Sequence, residues 1–232
     1  GFSAAIMPLV ASAEAQGDQL RVRRVTRVGF WLSALYGLLV LPAFWWSSPL
    51  LQAFGQQLSL AEEVQRYLRI AGFAIVPALL MMVVKSYLAA LEKTQVVLWI
   101  TVAGVGLNAF LNYALIFGHW GVPAMGIQGA AIASLLVNFV MFLGVAFYAA
   151  KTAPEHALFH RLWRLDWDVF GAVARMGVPV GLTSLAESGL FAASTIMMGW
   201  LGTVPLAAHG IAMQLTAATF MIHLGLSNAA TI

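Results

Sequence analysis

From Thr94 to Ala150 the chain carries no Lys, Arg, Asp or Glu. Such a stretch cannot belong to a water-facing globule, because a soluble domain needs roughly 25% charged residues to wet its surface. It is also too long for one membrane crossing of about 20 residues. His119-Trp120-Gly121-Val122-Pro123 divides it, so it reads as two spanning helices, near 95–117 and 127–149. The rest of the chain shares this character: 61% of its 232 residues are hydrophobic and 9% charged. A soluble enzyme is excluded, and an all-α polytopic membrane protein is expected. Cysteine is absent, which excludes disulfides, thiolate metal sites and Cys nucleophiles.

The other spans follow from where charge stops. Residues 1–13 precede the first charge, Glu14, and read as the end of a span. Val28 to Trp46 is uncharged and ends at Ser47-Ser48-Pro49. A further span runs from about Val64 to Val84, between Arg66, Arg69 and Lys85. Two more lie near 174–199 and 205–232, separated by Gly202-Thr203-Val204-Pro205. The chain starts and stops inside apolar stretches, so it is expected to be a segment of a longer membrane protein. Pro8, Pro42, Pro77 and Pro179 fall within spans, and Gly104-Val105-Gly106 and Gly126 to Ala133 are rich in small residues. Both features suit kinked, closely packed membrane helices.

Net charge is +3 and the pI near 9.5, which in a soluble protein would point to nucleic acid. Here the placement of charge matters more, and no nucleic-acid partner is expected. Alternate connections carry four (21–27), two (85–93) and four (151–175) of the Lys and Arg residues, while the opposite side has only Arg66 and Arg69. Basic connections face the cytoplasm, so a multi-pass protein of the cytoplasmic (inner) membrane is expected. Trp31, Trp99, Trp163 and Trp167 fall near the basic ends, and Trp45, Trp46, Trp120 and Trp200 near the opposite ends. Those are headgroup depths, where amphipathic rings collect. From His156 to Val169 the sequence reads as an interfacial helix, with Leu158, Phe159, Leu162 and Trp163 beside Arg161 and Arg164. His156 and His160 share a helical spacing, but without a third ligand they do not make a metal site.

Charge inside a membrane is costly and marks function or a partner. One acidic residue is deep: Glu187, 13 residues beyond position 174 and so roughly 20 Å into its helix. A carboxyl group there either exchanges a proton or Na⁺, or is a structural group, permanently protonated and hydrogen-bonded across helices. Centring the following hairpin near 202.5 sets Glu187 level with about residue 218, close to Thr216 and Thr219, with His223 one turn deeper. His223 either relays protons or is a neutral ring bonded to a backbone carbonyl; His209 reads as structural. Asn108 and Asn112 are four apart and share a face. A turn centred near 121.5 places Asn108 beside Ser134, with Asn138 one turn further in. These oxygens suit a cation or interhelical hydrogen bonding.

Leu111-Asn112-Tyr113-Ala114-Leu115-Ile116-Phe117-Gly118, followed by Gly121-Val122-Pro123-Ala124-Met125-Gly126-Ile127-Gln128-Gly129-Ala130-Ala131-Ile132-Ala133-Ser134, resembles the fifth-to-sixth helix signature of multidrug and toxic compound extrusion (MATE) transporters. Pro8-Leu9-Val10-Ala11 through Gly17-Asp18 and Arg23-Arg24 resembles that family's second helix and following loop. Gly177-Val178-Pro179-Val180-Gly181-Leu182, Ala186-Glu187-Ser188 and Leu206-Ala207-Ala208-His209 resemble helices seven and eight of the NorM-like branch. Gly225-Leu226-Ser227-Asn228-Ala229 echoes Gly1-Phe2-Ser3-Ala4-Ala5, as expected if helix eight repeats helix two.

The resemblance implies two six-helix bundles around a cavity open alternately to each side. Residues 1–150 would supply helices two to six of the first bundle, 151–173 a cytoplasmic interfacial connection, and 174–232 the first two helices of the second bundle. It implies that Glu187 serves the cation site of the second bundle and that Asn108, Asn112 and Ser134 surround that of the first. Acidic residues completing both sites would lie on helices outside this sequence. His223 departs from the family, standing where many members have Pro. The expected function is H⁺- or Na⁺-coupled export of a small, organic, cationic and amphipathic solute, with membrane lipid and the remaining helices as partners and no cofactor beyond the coupling ion. The alternatives are a lipid-linked precursor flippase, for which no Lys or Arg lies deep in the spans to hold a diphosphate, and a membrane enzyme or scaffold subunit. For an enzyme, Ser188 and His223 would be nucleophile and base, but their spacing matches no catalytic pattern.

Overall fold

The computed structural model describes residues 2–53, 58–119, 121, 123–154, 158 and 166–230. Among the described residues there are eight helices and no strand: α1 (Phe2–Ala15), α2 (Gln19–Trp45), α3 (Ser47–Ala53), α4 (Leu58–Ala90), α5 (Thr94–Phe117), α6 (Gly126–Thr152), α7 (Trp167–Leu201) and α8 (Thr203–Ala230). Six of them, α2 and α4 to α8, are long and apolar enough to cross a membrane. The expectation of an all-α polytopic fold is borne out.

The helices outrun the uncharged spans. α2 begins at Gln19 because Asp18 caps it, its carboxylate accepting the Arg21 N–H at 2.9 Å. An acidic cap satisfies an orphan donor and complements the positive helix end. Ser47-Ser48-Pro49, read as a break, ends α2 but also starts the short α3, with Pro49 in its first turn, where a missing N–H costs nothing. The carbonyl of Trp45, left over at the end of α2, accepts Gln65 Nε2 at 2.8 Å and Arg69 Nε at 3.4 Å from α4. The Arg69 guanidinium also stands 5.6 Å from the Trp45 ring centroid. Arg69, one of the isolated basic pair on that side, thus helps tie α2 to α4. The stretch expected as an interfacial helix, His156 to Val169, lies largely outside the described residues, including both histidines.

The chain divides into two compact units, Phe2–Ala174 and Arg175–Ile232. In the first, α4 is central and packs on α1, α2, α3, α5 and α6. The core gathers at the end of the helices that carries the basic connections. There Ile6 and Val10 of α1 meet Val22, Val25 and Val28 of α2, Val83, Val84, Tyr87 and Leu88 of α4, and Val145 and Ala149 of α6. All are under 2% exposed, and the same cluster takes Val173 from the first turns of α7. In the second unit α7 and α8 do not pack along their lengths, and the spanning stretch of α8 buries nothing.

Candidate functional site

The α5–α6 pair is built by its turn. Gly118 ends α5 in the left-handed conformation, φ 74°, and its N–H bonds the Ala114 carbonyl at 3.0 Å. Only Gly adopts this without strain. Met125 N–H then bonds the Leu115 carbonyl at 2.9 Å, returning the chain to α5. Gly129 lies directly against that carbonyl, a backbone approach that a side chain would block. Further along, Gly104 meets Met141 and Gly144 meets Ile100. The mid-points of these three pairs fall about residue 122, so Ser134 stands at a height between Asn108 and Asn112.

On α5, Asn112 Nδ2 donates to Asn108 Oδ1 at 2.9 Å. The Oδ1 of Asn112 is buried and accepts no hydrogen bond among the described residues. On α6, Asn138 Nδ2 donates to the Ser134 carbonyl at 2.8 Å. All four residues are half-buried. Each pair bonds along its own helix, and no hydrogen bond among the described residues joins the two pairs. Among the described residues the interhelical bonding open from sequence is not formed, and the buried Asn112 amide oxygen has its lone pairs unused there, at a cost of about 1–3 kcal/mol.

Glu187 lies about 30 Å from the start of α7 and about 21 Å from its end at 1.5 Å per residue. It is exposed on the helix surface, between Leu185 and Leu190, which are also exposed. Among the described residues nothing pairs with it. Thr183 and Ser184, one turn back, bond the carbonyls of Pro179 and Val180 at 3.0 Å each. On α8, Thr216 and Thr219 hydroxyls donate to the carbonyls of Ala212 and Leu215 at 2.9 and 3.1 Å. His223 Nδ1 lies 2.9 Å from the Thr219 carbonyl. A carbonyl only accepts, so Nδ1 carries the proton and Nε2 is the other ring position. The structure does not bring Glu187 against Thr216, Thr219 or His223, because α7 and α8 do not pack; hairpin arithmetic sets depth, and contact needs further packing. His209 Nε2 is buried and unpaired among the described residues.

Sequence reasoning missed one arrangement. Arg27, expected as a loop charge, is 5% exposed and reaches Asp166, just before α7, at 3.5 Å; Arg24 stands 3.8 Å from the same oxygen. The available signal was position: Arg27 directly abuts the uncharged run that starts at Val28. Among the described residues no group of three His, Cys, Asp or Glu is placed to hold a metal ion.

Six helices long and apolar enough to cross a membrane define a multi-pass α-helical membrane protein. The MatE family model matches residues 1–114 and 179–232, and the chain belongs to this family, the MATE family that its residues resemble. It is 45% identical over its whole length to "Probable multidrug resistance protein NorM" of Rhizobium meliloti (strain 1021), and 43% identical to the protein of the same name from Agrobacterium fabrum. In each case the match covers 50% of the relative, so the chain spans about half the length of these curated relatives. A solved structure described as the inward-facing conformation of a multidrug resistance MATE family transporter of the MOP superfamily has the same fold. It gives a TM-score of 0.68 at 20% identity, over 90% of this chain and 52% of that one.

Proposed function

We propose that the whole protein is a cation-coupled antiporter, exporting drug-like, amphipathic organic cations across the cytoplasmic membrane by alternating access. The observation that carries this reading is Glu187: the one acidic residue deep in a spanning helix, with no partner among the described residues. A carboxylate in hydrocarbon surroundings needs a proton or a cation, and one able to exchange them couples an ion gradient to a conformational change. Coupling requires ion and drug to differ in affinity for the two arrangements. Asn108, Asn112 and Ser134 form the oxygen-rich face of a second cation site, to which the unused Asn112 Oδ1 is suited. His223, its Nδ1 tied to a carbonyl, offers Nε2 for relaying protons. In this reading residues 1–150 and 174–232 belong to different bundles joined by a cytoplasmic connection at 151–173. The relatives, named probable multidrug resistance proteins, support it.

The test uses full-length protein in vesicles, with a proton or a Na⁺ gradient imposed separately. Glu187→Gln should fall to the background of gradient-driven solute movement while the protein remains folded in the membrane. Normal coupled export by that variant would overturn the role of Glu187. His223→Gln should retain export at a several-fold lower rate under a proton gradient, and an unchanged rate would leave His223 as a structural residue.

A further inference from the structure

α2 and α6 both pack on α4 but not along one another, and a trough runs between them. Leu80 of α4 is its floor, and its walls include Phe30, Trp31 and Ala34 from α2 and Phe142 and Phe147 from α6. Its volume is about 580 Å³, within the roughly 300–1,000 Å³ of small-molecule sites. Every lining residue is hydrophobic, so ordered water would find no partners there. From Phe142 to Ala150 it follows α6 for about 12 Å, close to the depth of one leaflet in a hydrocarbon core about 30 Å thick.

The rim of this trough is basic and aromatic. Ala150 is its last lining residue on α6, and the next residue, Lys151, is exposed in the final turn of that helix, with no partner among the described residues. Trp31, 43% exposed, stands on the facing wall at the headgroup depth that indole rings favour. A hydrocarbon slot one leaflet deep, with a cation at its mouth, matches the shape and charge of one kind of molecule. We propose that it binds an anionic phospholipid from the leaflet on the basic side, one acyl chain lying in the trough and the phosphate on Lys151. Soluble organic cations are disfavoured, since Lys151 repels them and the walls offer no acceptor.

Acyl-chain-brominated lipids quench indoles they touch. The full-length protein is reconstituted with increasing brominated phosphatidylglycerol or brominated phosphatidylcholine, and the Trp31 signal is taken as the difference between the protein and its Trp31→Phe variant. Trp31 should be half-quenched at about a fivefold lower mole fraction of the anionic lipid, the worth of one basic residue at a membrane surface. Lys151→Gln should remove that preference, and Ala34→Phe, which fills the trough, should remove it independently. Equal quenching by both lipids, or a preference surviving both substitutions, overturns the proposal. So does the absence of Trp31 quenching, the result if another helix of the same protein covers the trough.

Discussion

Arg27 Nη1 stands 3.5 Å from Asp166 Oδ2, joining the buried shoulder of α2 to the residue that precedes α7. The two side chains are 6% and 20% exposed, so little water screens them. Removing the carboxylate of such a pair takes a buried ion-pair partner from Arg27, at about 3 kcal/mol. Asp166→Asn should therefore lower the thermal stability of the detergent-solubilised full-length protein clearly. Arg24→Gln should change it by less than about 1 kcal/mol, because Arg24 is 47% exposed and 3.8 Å away. Arg27→Met together with Asp166→Asn should recover most of the loss, since neither charge of the pair then remains to be buried. Equal effects from Arg24 and Asp166 would show that Arg27 is not the stronger partner of Asp166.

Glycines on α5 and α6 provide an internal contrast. A Cβ on Gly129 would collide with the Leu115 carbonyl, whereas one on Gly106 would meet nothing within 4 Å. Gly129→Ala should destabilise the protein by about 1–3 kcal/mol, as overpacking forces the two helices apart. Gly106→Ala should be neutral or stabilising by up to about 1 kcal/mol, the gain in helix propensity. Thermal unfolding in one detergent measures both, and a Gly129→Ala protein as stable as the parent would mean that α5 and α6 do not approach as closely as described.

How much of this was legible beforehand depended on the physics involved. Charge exclusion from hydrocarbon placed the spans, and the run from His119 to Pro123 placed the α5–α6 turn, because solvent and local backbone preference decide these. The spacing of Asn108 and Asn112 gave a shared face, and Asn112 bonds Asn108 at 2.9 Å. The α5–α6 register was also legible to within about one residue. The partnership of Arg27 with Asp166, and that of Arg69 with the Trp45 carbonyl, could not be read, since each joins residues far apart in sequence through packing on other helices. For the same reason the depth of Glu187 could be counted along α7, but its neighbours could not. The trough beside Trp31 exists because α2 and α6 share α4 without meeting, which no periodicity in either helix encodes.

Asn112 allows stability and function to be separated at one position. Its Oδ1 is buried without a hydrogen bond among the described residues, a cost that a purely structural residue would be better without. Asn112→Leu keeps the approximate volume and removes the unsatisfied oxygen, so the folded protein should be as stable as the parent or up to about 1–3 kcal/mol more so. If that oxygen serves a cation, the same variant should need about tenfold more of the coupling ion for half-maximal export, one lost ligand being worth about 1.4 kcal/mol. Asn112→Asp should shift the requirement the other way, because a carboxylate attracts the ion more strongly than an amide. Melting temperature and ion titration of export, measured on the same full-length preparations, give the two readouts. Lower stability in Asn112→Leu with an unchanged ion requirement would assign Asn112 to helix packing and remove it from the cation site.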